Sequence, residues 1–144
     1  EKWTGNYVYG EPYPEGIKGL SVPFTIEWID KDGILTGTCT DDETKMYFDR
    51  PAAIKGFIDD GMISFIKTYP CRCEIDAAGH VTLFEREPAI DIHYSGTWVD
   101  DHFEGEWDMT ISYQTEDGFP KEYECTGVWA LYKEGDAPVQ SLPY

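Results

Sequence analysis

The sequence predicts an all-β fold, an eight-stranded antiparallel up-and-down barrel with a short excursion between the fifth and sixth strands. Apolar and polar residues alternate along eight segments, short acidic turns separate several of these segments, and glycine recurs on one face of most of them. The clearest alternation covers residues 103–114, where apolar or small residues occupy the odd positions and polar residues the even ones. Only a strand with a single buried face produces this pattern over such a length.

The first four predicted strands each place apolar or small residues on one face at a period of two. In the third strand, threonines occupy the opposite face. The inward positions are Trp3, Gly5, Tyr7 and Tyr9 in the first strand, Val22, Phe24, Ile26 and Trp28 in the second, Leu35, Gly37 and Cys39 in the third, and Ile54, Gly56 and Ile58 in the fourth. We therefore expect one face of each of these strands to be buried.

The last four predicted strands follow the same rule, with one charged residue on an otherwise apolar face. The inward positions are Ile63, Phe65, Lys67 and Tyr69 in the fifth strand, Ile92, Tyr94, Gly96 and Trp98 in the sixth, the odd positions of residues 103–113 in the seventh, and Tyr123, Cys125, Gly127, Trp129 and Leu131 in the eighth. The residue that breaks the rule is Lys67.

The connections between the predicted strands fall into two kinds. Short acidic connections suited to tight hairpins lie at residues 30–33, 59–61 and 100–101. Longer connections span residues 10–21, 42–51, 70–90 and 115–120. In an up-and-down barrel all the short connections fall at one end and all the long ones at the other, so we expect one pinched end and one open mouth.

Glycine placement favours closure of the sheet. Interior glycines on inward faces are Gly5, Gly37, Gly56, Gly96, Gly105 and Gly127. A strongly coiled strand can bend at a glycine while a neighbouring aromatic fills the gap, and closure removes exposed strand edges. The alternative is an open sandwich with glycines at bulges. No linker divides the chain, so residues 1–134 are predicted to form one barrel domain and residues 135–144 a loose C-terminal tail.

The aromatic residues sort by barrel end. All five tryptophans fall in the pinched half, which predicts a packed aromatic plug. Tyrosines dominate the mouth half, where apolar rings with hydroxyl groups suit a small molecule. The predicted ligand-binding residues are Tyr7, Tyr9, Phe24, Lys67, Tyr69, Tyr94, Tyr113 and Tyr123. The alternative is that these side chains only fill the barrel interior.

Lys67 is the unusual member of this set, because a buried amine is costly unless it is paired. We expect it to meet either an acid, for which Asp41 is the candidate, or an anionic ligand. In the second case, Lys67→Met would weaken binding of a carboxylate-bearing ligand. Alternatively, Lys67 lies at the rim and extends its ammonium group into water.

The formal net charge of −17 argues against nucleic-acid and anionic-membrane partners, because like charges repel within a Debye length. No apolar run reaches the roughly 18 residues of a membrane helix. The opening residues read as a strand, so no signal peptide is visible, although a removed one is left open. We expect a cytoplasmic protein with free thiols at Cys39, Cys71, Cys73 and Cys125; the alternative is a secreted or periplasmic protein.

The sequence contains few features typical of a catalytic or metal-binding site. No serine lies in a nucleophile elbow, and the three histidines lack the spacing of a metal set. Cys71 and Cys73 are a weak metal or redox signal. Asp41-Asp42-Glu43 lacks the spacing of an EF-hand loop, so the alternatives there are a weakly bound calcium ion and a solvated loop. The sequence therefore predicts no metal and no cofactor, and favours a binding protein over an enzyme.

Trp3-x-Gly5-x-Tyr7 and the closing Gly127-x-Trp129-x-Leu131 resemble the lipocalin–avidin group of small β-barrels, the calycins. The resemblance covers roughly residues 1 to 133, is one of architecture, and implies a ligand-binding barrel. Lipocalins usually begin with Gly-x-Trp, the reverse of the order here. The order here and Tyr13-Pro14 also resemble haem-binding nitrobindin-type barrels, but the eighth strand lacks the histidine that such barrels use for iron, so haem is not implied. The contacts that avidins make to biotin have no residue-by-residue match.

The leading functional hypothesis is therefore binding of a small hydrophobic or aromatic molecule at the tyrosine-rich end. The alternatives are a confined-pocket enzyme of the isomerase or cyclase type, and an interaction barrel without a ligand. Outward-facing Phe57 and Ile66 on neighbouring strands are candidates for a homodimer face. The excursion at residues 70–90, with its strand-like Val81-Thr82-Leu83-Phe84, is a candidate lid.

Overall fold

A computed structural model describes residues 1–76 and 78–134. Within those residues the chain forms ten strands. Their bounds are β1 Lys2–Tyr9, β2 Ser21–Lys31, β3 Ile34–Asp41, β4 Ala52–Asp59, β5 Met62–Thr68, β6 Arg72–Ile75, β7 Val81–Phe84, β8 Ile92–Val99, β9 His102–Gln114 and β10 Pro120–Lys133. The predicted tail at residues 135–144 lies outside the described residues. None of the described residues belongs to a helix long and apolar enough to cross a membrane.

Eight of the strands close into an antiparallel barrel, in the order β1-β10-β9-β8-β5-β4-β3-β2. The first and last strands complete the ring, with Gly5 opposite Leu131 and Tyr7 opposite Trp129. Strands β6 and β7 form a separate two-stranded sheet between β5 and β8. The predicted barrel with its excursion is therefore confirmed, and the excursion is a hairpin of its own.

The pinched end of the barrel contains the three tight turns. At the β2–β3 turn Asp32 and Gly33 have φ of 54° and 86°, and at the β4–β5 turn Asp60 and Gly61 have φ of 49° and 78°. Positive φ at two successive residues is the conformation that matches the twist of a two-residue hairpin. This local geometry explains why the connections at this end are short.

Inward glycines provide room for aromatic rings on neighbouring strands. Gly127 lies opposite Trp107, and Gly105 lies opposite Trp129. A Cβ atom on Gly127 would lie 2.2 Å from Trp107 Nε1 and 2.0 Å from the Val8 carbonyl oxygen, so no larger residue fits. Each Gly-aromatic pair therefore lets a ring cross the barrel interior, as the sequence predicted.

The aromatic plug at the pinched end is smaller than the sequence predicted. Trp3 packs against Trp28 and Phe103 with ring centroids 5.2 and 5.5 Å apart. Trp98 packs on Phe103 at 4.9 Å but is 44% exposed at the rim. The prediction was wrong for Trp107, whose ring lies on the wall of the open half, because its position on the long strand β9 is further from the tight turn than alternation alone reveals.

Candidate ligand-binding site

A cavity of about 640 Å³ opens at the mouth of the barrel. Its wall combines inward side chains of β1, β8, β9 and β10 with residues of the loops after β1 and β3 and of the β6–β7 hairpin. Aromatic rings and aliphatic side chains dominate the wall, with a few carboxylates, thiols and one guanidinium group. Small-molecule sites in proteins have this size and composition.

Six of the eight predicted binding residues lie on the cavity wall: Tyr7, Tyr9, Tyr69, Tyr94, Tyr113 and Tyr123. The first four are buried or half-buried, whereas Tyr113 and Tyr123 are 49% and 46% exposed at the entrance. Their centroids are 5.9 Å apart, so the two rings flank one side of the mouth together. Whether these six residues bind a ligand remains a prediction.

The other two predicted residues, Phe24 and Lys67, are not among the residues that line the cavity. Phe24 is 3% exposed and lies behind the wall, against the rings of Tyr7 at 5.6 Å and Tyr94 at 6.2 Å. Their inward orientation was predicted correctly, but an inward side chain reaches a cavity only when no neighbour covers it. Here the tyrosine rings cover both.

Lys67 is 1% exposed, so it does not extend into water. Its Nζ donates to Asp41 Oδ2 at 2.9 Å, and both side chains of this ion pair are buried. Burial opposes the charged ammonium, but the surrounding acidic groups, of which Asp41 is ionised at neutral pH, raise the pKa of Lys67 well above its usual value. The acid that the sequence offered as a partner is therefore the one that Lys67 meets.

Asp41 also organises the loop that follows β3. Its Oδ1 accepts the backbone N–H of Glu43 at 3.1 Å and both the N–H and the hydroxyl of Thr44 at 2.8 and 2.9 Å. Its Oδ2 accepts the Tyr69 hydroxyl at 2.5 Å as well as the Lys67 ammonium. Burial raises the pKa of Asp41, but Lys67 and these hydrogen bonds outweigh burial and hold that pKa below its usual value. The ion pair thereby fixes the turn that carries Glu43.

Glu43 is the residue that this turn directs into the cavity. Its Oε1 accepts hydrogen bonds from the hydroxyls of Tyr7, at 3.0 Å, and Tyr9. Burial raises the pKa of Glu43, and the two tyrosine hydrogen bonds only partly oppose that effect. The cavity therefore contains a half-buried carboxylate held by two tyrosine hydroxyls.

An aromatic cluster forms one wall beside Glu43. The Tyr9 ring meets Tyr13 edge-on at 4.7 Å and Trp107 at 5.8 Å, and Tyr13 lies 6.3 Å from Trp107. Trp107 Nε1 donates to the Val8 carbonyl at 3.1 Å, so its polar atom is satisfied within the wall. All three rings line the cavity, and the indole N–H of Trp107 needs no further partner.

The structure adds several wall residues that the sequence did not single out. Met109 and Ile111 lie on the inward face of the open half, so the alternation already contained the signal for them. The β6–β7 hairpin adds its own segment, 71–76. Glu43 had no such signal, because it lies in a loop whose direction depends on contacts with Tyr7, Tyr9 and Asp41.

All four cysteines are free thiols, and three of them, Cys71, Cys73 and Cys125, line the cavity. Burial raises the pKa of Cys73 to about 11, which keeps this thiol protonated at neutral pH. Within residues 1–76 and 78–134, no group of three or more His, Cys, Asp or Glu side chains is placed to hold a metal ion. Phe57 and Ile66 are exposed on the outer face, and the homodimer stays a prediction.

The closed antiparallel barrel of eight strands is the fold class that the alternation along the sequence predicted. A structural match is the crystal structure of rhizavidin, with a TM-score of 0.47 and 11% identity over 98% of this chain and 89% of that chain. This likeness concerns the barrel fold. No model of a protein family and no curated protein matches the chain.

Proposed function

We propose that this protein binds a small hydrophobic or aromatic molecule in the open half of its barrel, on the wall formed by Tyr7, Tyr9, Tyr69, Tyr94, Tyr113 and Tyr123. The observation that supports this most is the 640 Å³ cavity itself, which a barrel filled by its own side chains would lack. A wall of rings with few polar groups gives affinity through apolar contact and orientation through hydrogen bonds.

The division of the barrel into a filled half and an open half supports the same function. Trp28, Phe65 and Trp129 are at most 2% exposed, so the half of the barrel behind the cavity is filled by its own side chains. A site that is already formed before binding lowers the entropy lost on binding, because little of it has to be ordered by the ligand. The β6–β7 hairpin and the loop after β1 then shape the entrance.

The test is isothermal titration of the protein with naphthylmethanol, a neutral aromatic alcohol. We expect saturable binding of one molecule per chain. Ile111→Trp enlarges a half-buried side chain on the cavity wall, and should weaken binding by at least about tenfold, which corresponds to about 1.4 kcal/mol.

The matched control is Thr110→Trp, the same added side chain on the neighbouring, outward-facing position of β9. This variant should bind naphthylmethanol as the unmodified protein does, and both variants should unfold cooperatively on heating. Absence of saturable binding to the unmodified protein, or equal binding by both variants, would contradict a ligand site in the barrel mouth.

A further inference from the structure

The charges on the cavity wall are unevenly balanced. Among the described lining residues the ionisable carboxylates are Glu43, Glu74 and Asp76, and the basic group is Arg72. Arg72 has its Nη2 3.3 Å from Glu74 and its Nε 3.9 Å from Glu87. These two carboxylates partly offset the positive charge that Arg72 offers to an anionic ligand.

Glu43 is the most buried of these carboxylates, and only one of its two oxygens accepts hydrogen bonds from the tyrosines. Both tyrosine hydroxyls donate to Oε1. Within the described ranges the side-chain hydrogen bonds to Glu43 go to Oε1, and Glu43 forms no ion pair. The charge of Lys67 favours the ionised form of Glu43, but Lys67 is bonded to Asp41 and burial outweighs its effect. A carboxylate taken partly out of water without a cation bonded to it is unfavourable, and a cationic ligand would relieve that cost.

The surrounding rings have the chemistry to hold a cation. Tyr9, Tyr13 and Trp107 meet edge to face at one side of Glu43, and aromatic ring faces attract an ammonium group electrostatically. The wall already demonstrates this on its inner side, where Lys67 Nζ lies 4.9 Å from the Tyr7 centroid and 4.6 Å from that of Tyr69. The structure thus contains one ammonium group between rings and a carboxylate.

An anionic ligand lacks a comparable partner. Lys67, the cation that the sequence offered for a carboxylate, is 1% exposed and neutralised by Asp41. The net charge of the chain, −17, further repels anions and attracts cations to the mouth.

We propose that the ligand is a small aromatic or hydrophobic amine, bound as its ammonium ion with the Glu43 carboxylate as counter-ion and the Tyr9, Tyr13 and Trp107 rings around it. This inference rests on the proposed function, since it names the chemical class of molecule that the same pocket takes. Glu43 is then the specificity-determining residue of the site.

The experiment compares three molecules with one aromatic body and different head groups: naphthylmethylamine, naphthylmethanol and naphthylacetate, each titrated at neutral pH. We expect the amine to bind at least about tenfold more tightly than the alcohol, because a charge-assisted hydrogen bond is stronger than a neutral one. The carboxylate should bind least tightly. Glu43→Gln should remove about tenfold of the amine affinity and weaken alcohol binding by less, because the alcohol loses only part of one hydrogen bond whereas the amine also loses its counter-ion.

Glu124→Gln is the matched control, because it makes the same chemical change at an exposed, outward position of β10 and alters the net charge equally. It should leave all three affinities unchanged. Glutamine at position 43 can still accept from Tyr7 and Tyr9, so the pocket should keep its shape.

The outcomes separate the two proposals. If the alcohol binds and the amine binds no better, the amine proposal is overturned while the pocket stands. If the amine preference is equal in the Glu43→Gln and Glu124→Gln variants, the general field of the acidic chain causes it and the role of Glu43 is overturned. If none of the three molecules binds, the pocket itself and the amine proposal fail together.

Discussion

The two ends of this barrel are built from the same alternating strands but have opposite properties. At the pinched end, hairpins with positive φ bring the strands together, and rings such as Trp129 fill the space above inward glycines. At the mouth, long loops hold the strand ends apart, and tyrosines line a cavity that their side chains do not fill. We expect the filled half to contribute most of the stability, whereas the open half contains the proposed ligand site.

The buried ion pair lies at the boundary between these halves. Lys67 and Asp41 are each almost completely buried, yet the pair holds the turn that directs Glu43 into the cavity. The buried ion pair therefore positions Glu43, a residue of the open half. Substitutions in the filled half, at the boundary and in the open half should therefore change stability by different amounts.

The largest expected effect is in the filled half. Trp129 is fully buried, contacts Phe65 and Tyr94, and donates through Nε1 to two backbone carbonyls. Trp129→Ala should lower the free energy of unfolding by about 3–5 kcal/mol, because it leaves a large cavity and removes the hydrogen bonds of the indole N–H. Tyr113→Ala at the entrance, where the ring is 49% exposed, should cost less than about 1 kcal/mol. Urea unfolding of both variants measures the difference, and equal losses would contradict the division.

A loss of comparable size is expected at the boundary. Lys67→Met leaves the Asp41 carboxylate buried without its cation, which should cost about 3–5 kcal/mol. The double variant Lys67→Met with Asp41→Asn should lose less than the sum of the two single changes, because no unpaired charge remains. A double-mutant cycle by urea unfolding tests this. Additive losses would mean that the two groups do not stabilise each other.

The smallest expected effect concerns the open half and has the opposite sign. Burial raises the pKa of Glu43 above its ordinary value of 4.5, so ionisation of Glu43 costs folding energy. Its stabilising contribution is complete below 4.5 and is lost as the pH rises through the raised pKa. Glu43→Gln should therefore increase the free energy of unfolding at neutral pH, by less than either loss above, and the gain should disappear in acid.

Asp41 provides the internal control for that pH profile. Its pKa lies below the ordinary 3.8, so its contribution is present above 3.8 and is lost as the pH falls through the lowered value. Asp41→Asn should remove this acid-side loss, whereas Glu43→Gln should leave it intact. Unfolding measured across the acid range would refute the assignment if both variants changed the profile in the same direction.

Six of the eight residues predicted for the candidate site lie on the cavity wall, although binding by them stays a prediction. Alternation assigned the inward tyrosines correctly, and the spacing of short and long connections identified the open end. Two predicted binding residues do not reach the cavity, because neighbouring rings separate them from it. Phe24 and Lys67 point inward but lie behind Tyr7, Tyr69 and Tyr94. Trp107 was assigned to the plug, because alternation gives the face of a residue and only roughly its depth along a tilted strand.

The amino-acid sequence alone determined the strands, their inward faces and the difference between the barrel ends, because these follow from a period of two and from turn chemistry, both local properties. It favoured closure of the barrel, which the pairing of β1 with β10 then decided. Only the tertiary structure decided that Asp41 meets Lys67, 26 residues away, and that Glu43 meets Tyr9, 34 residues away. Such pairings join a loop to strands distant in the chain, and their energy depends on burial and geometry that exist only once the barrel has closed.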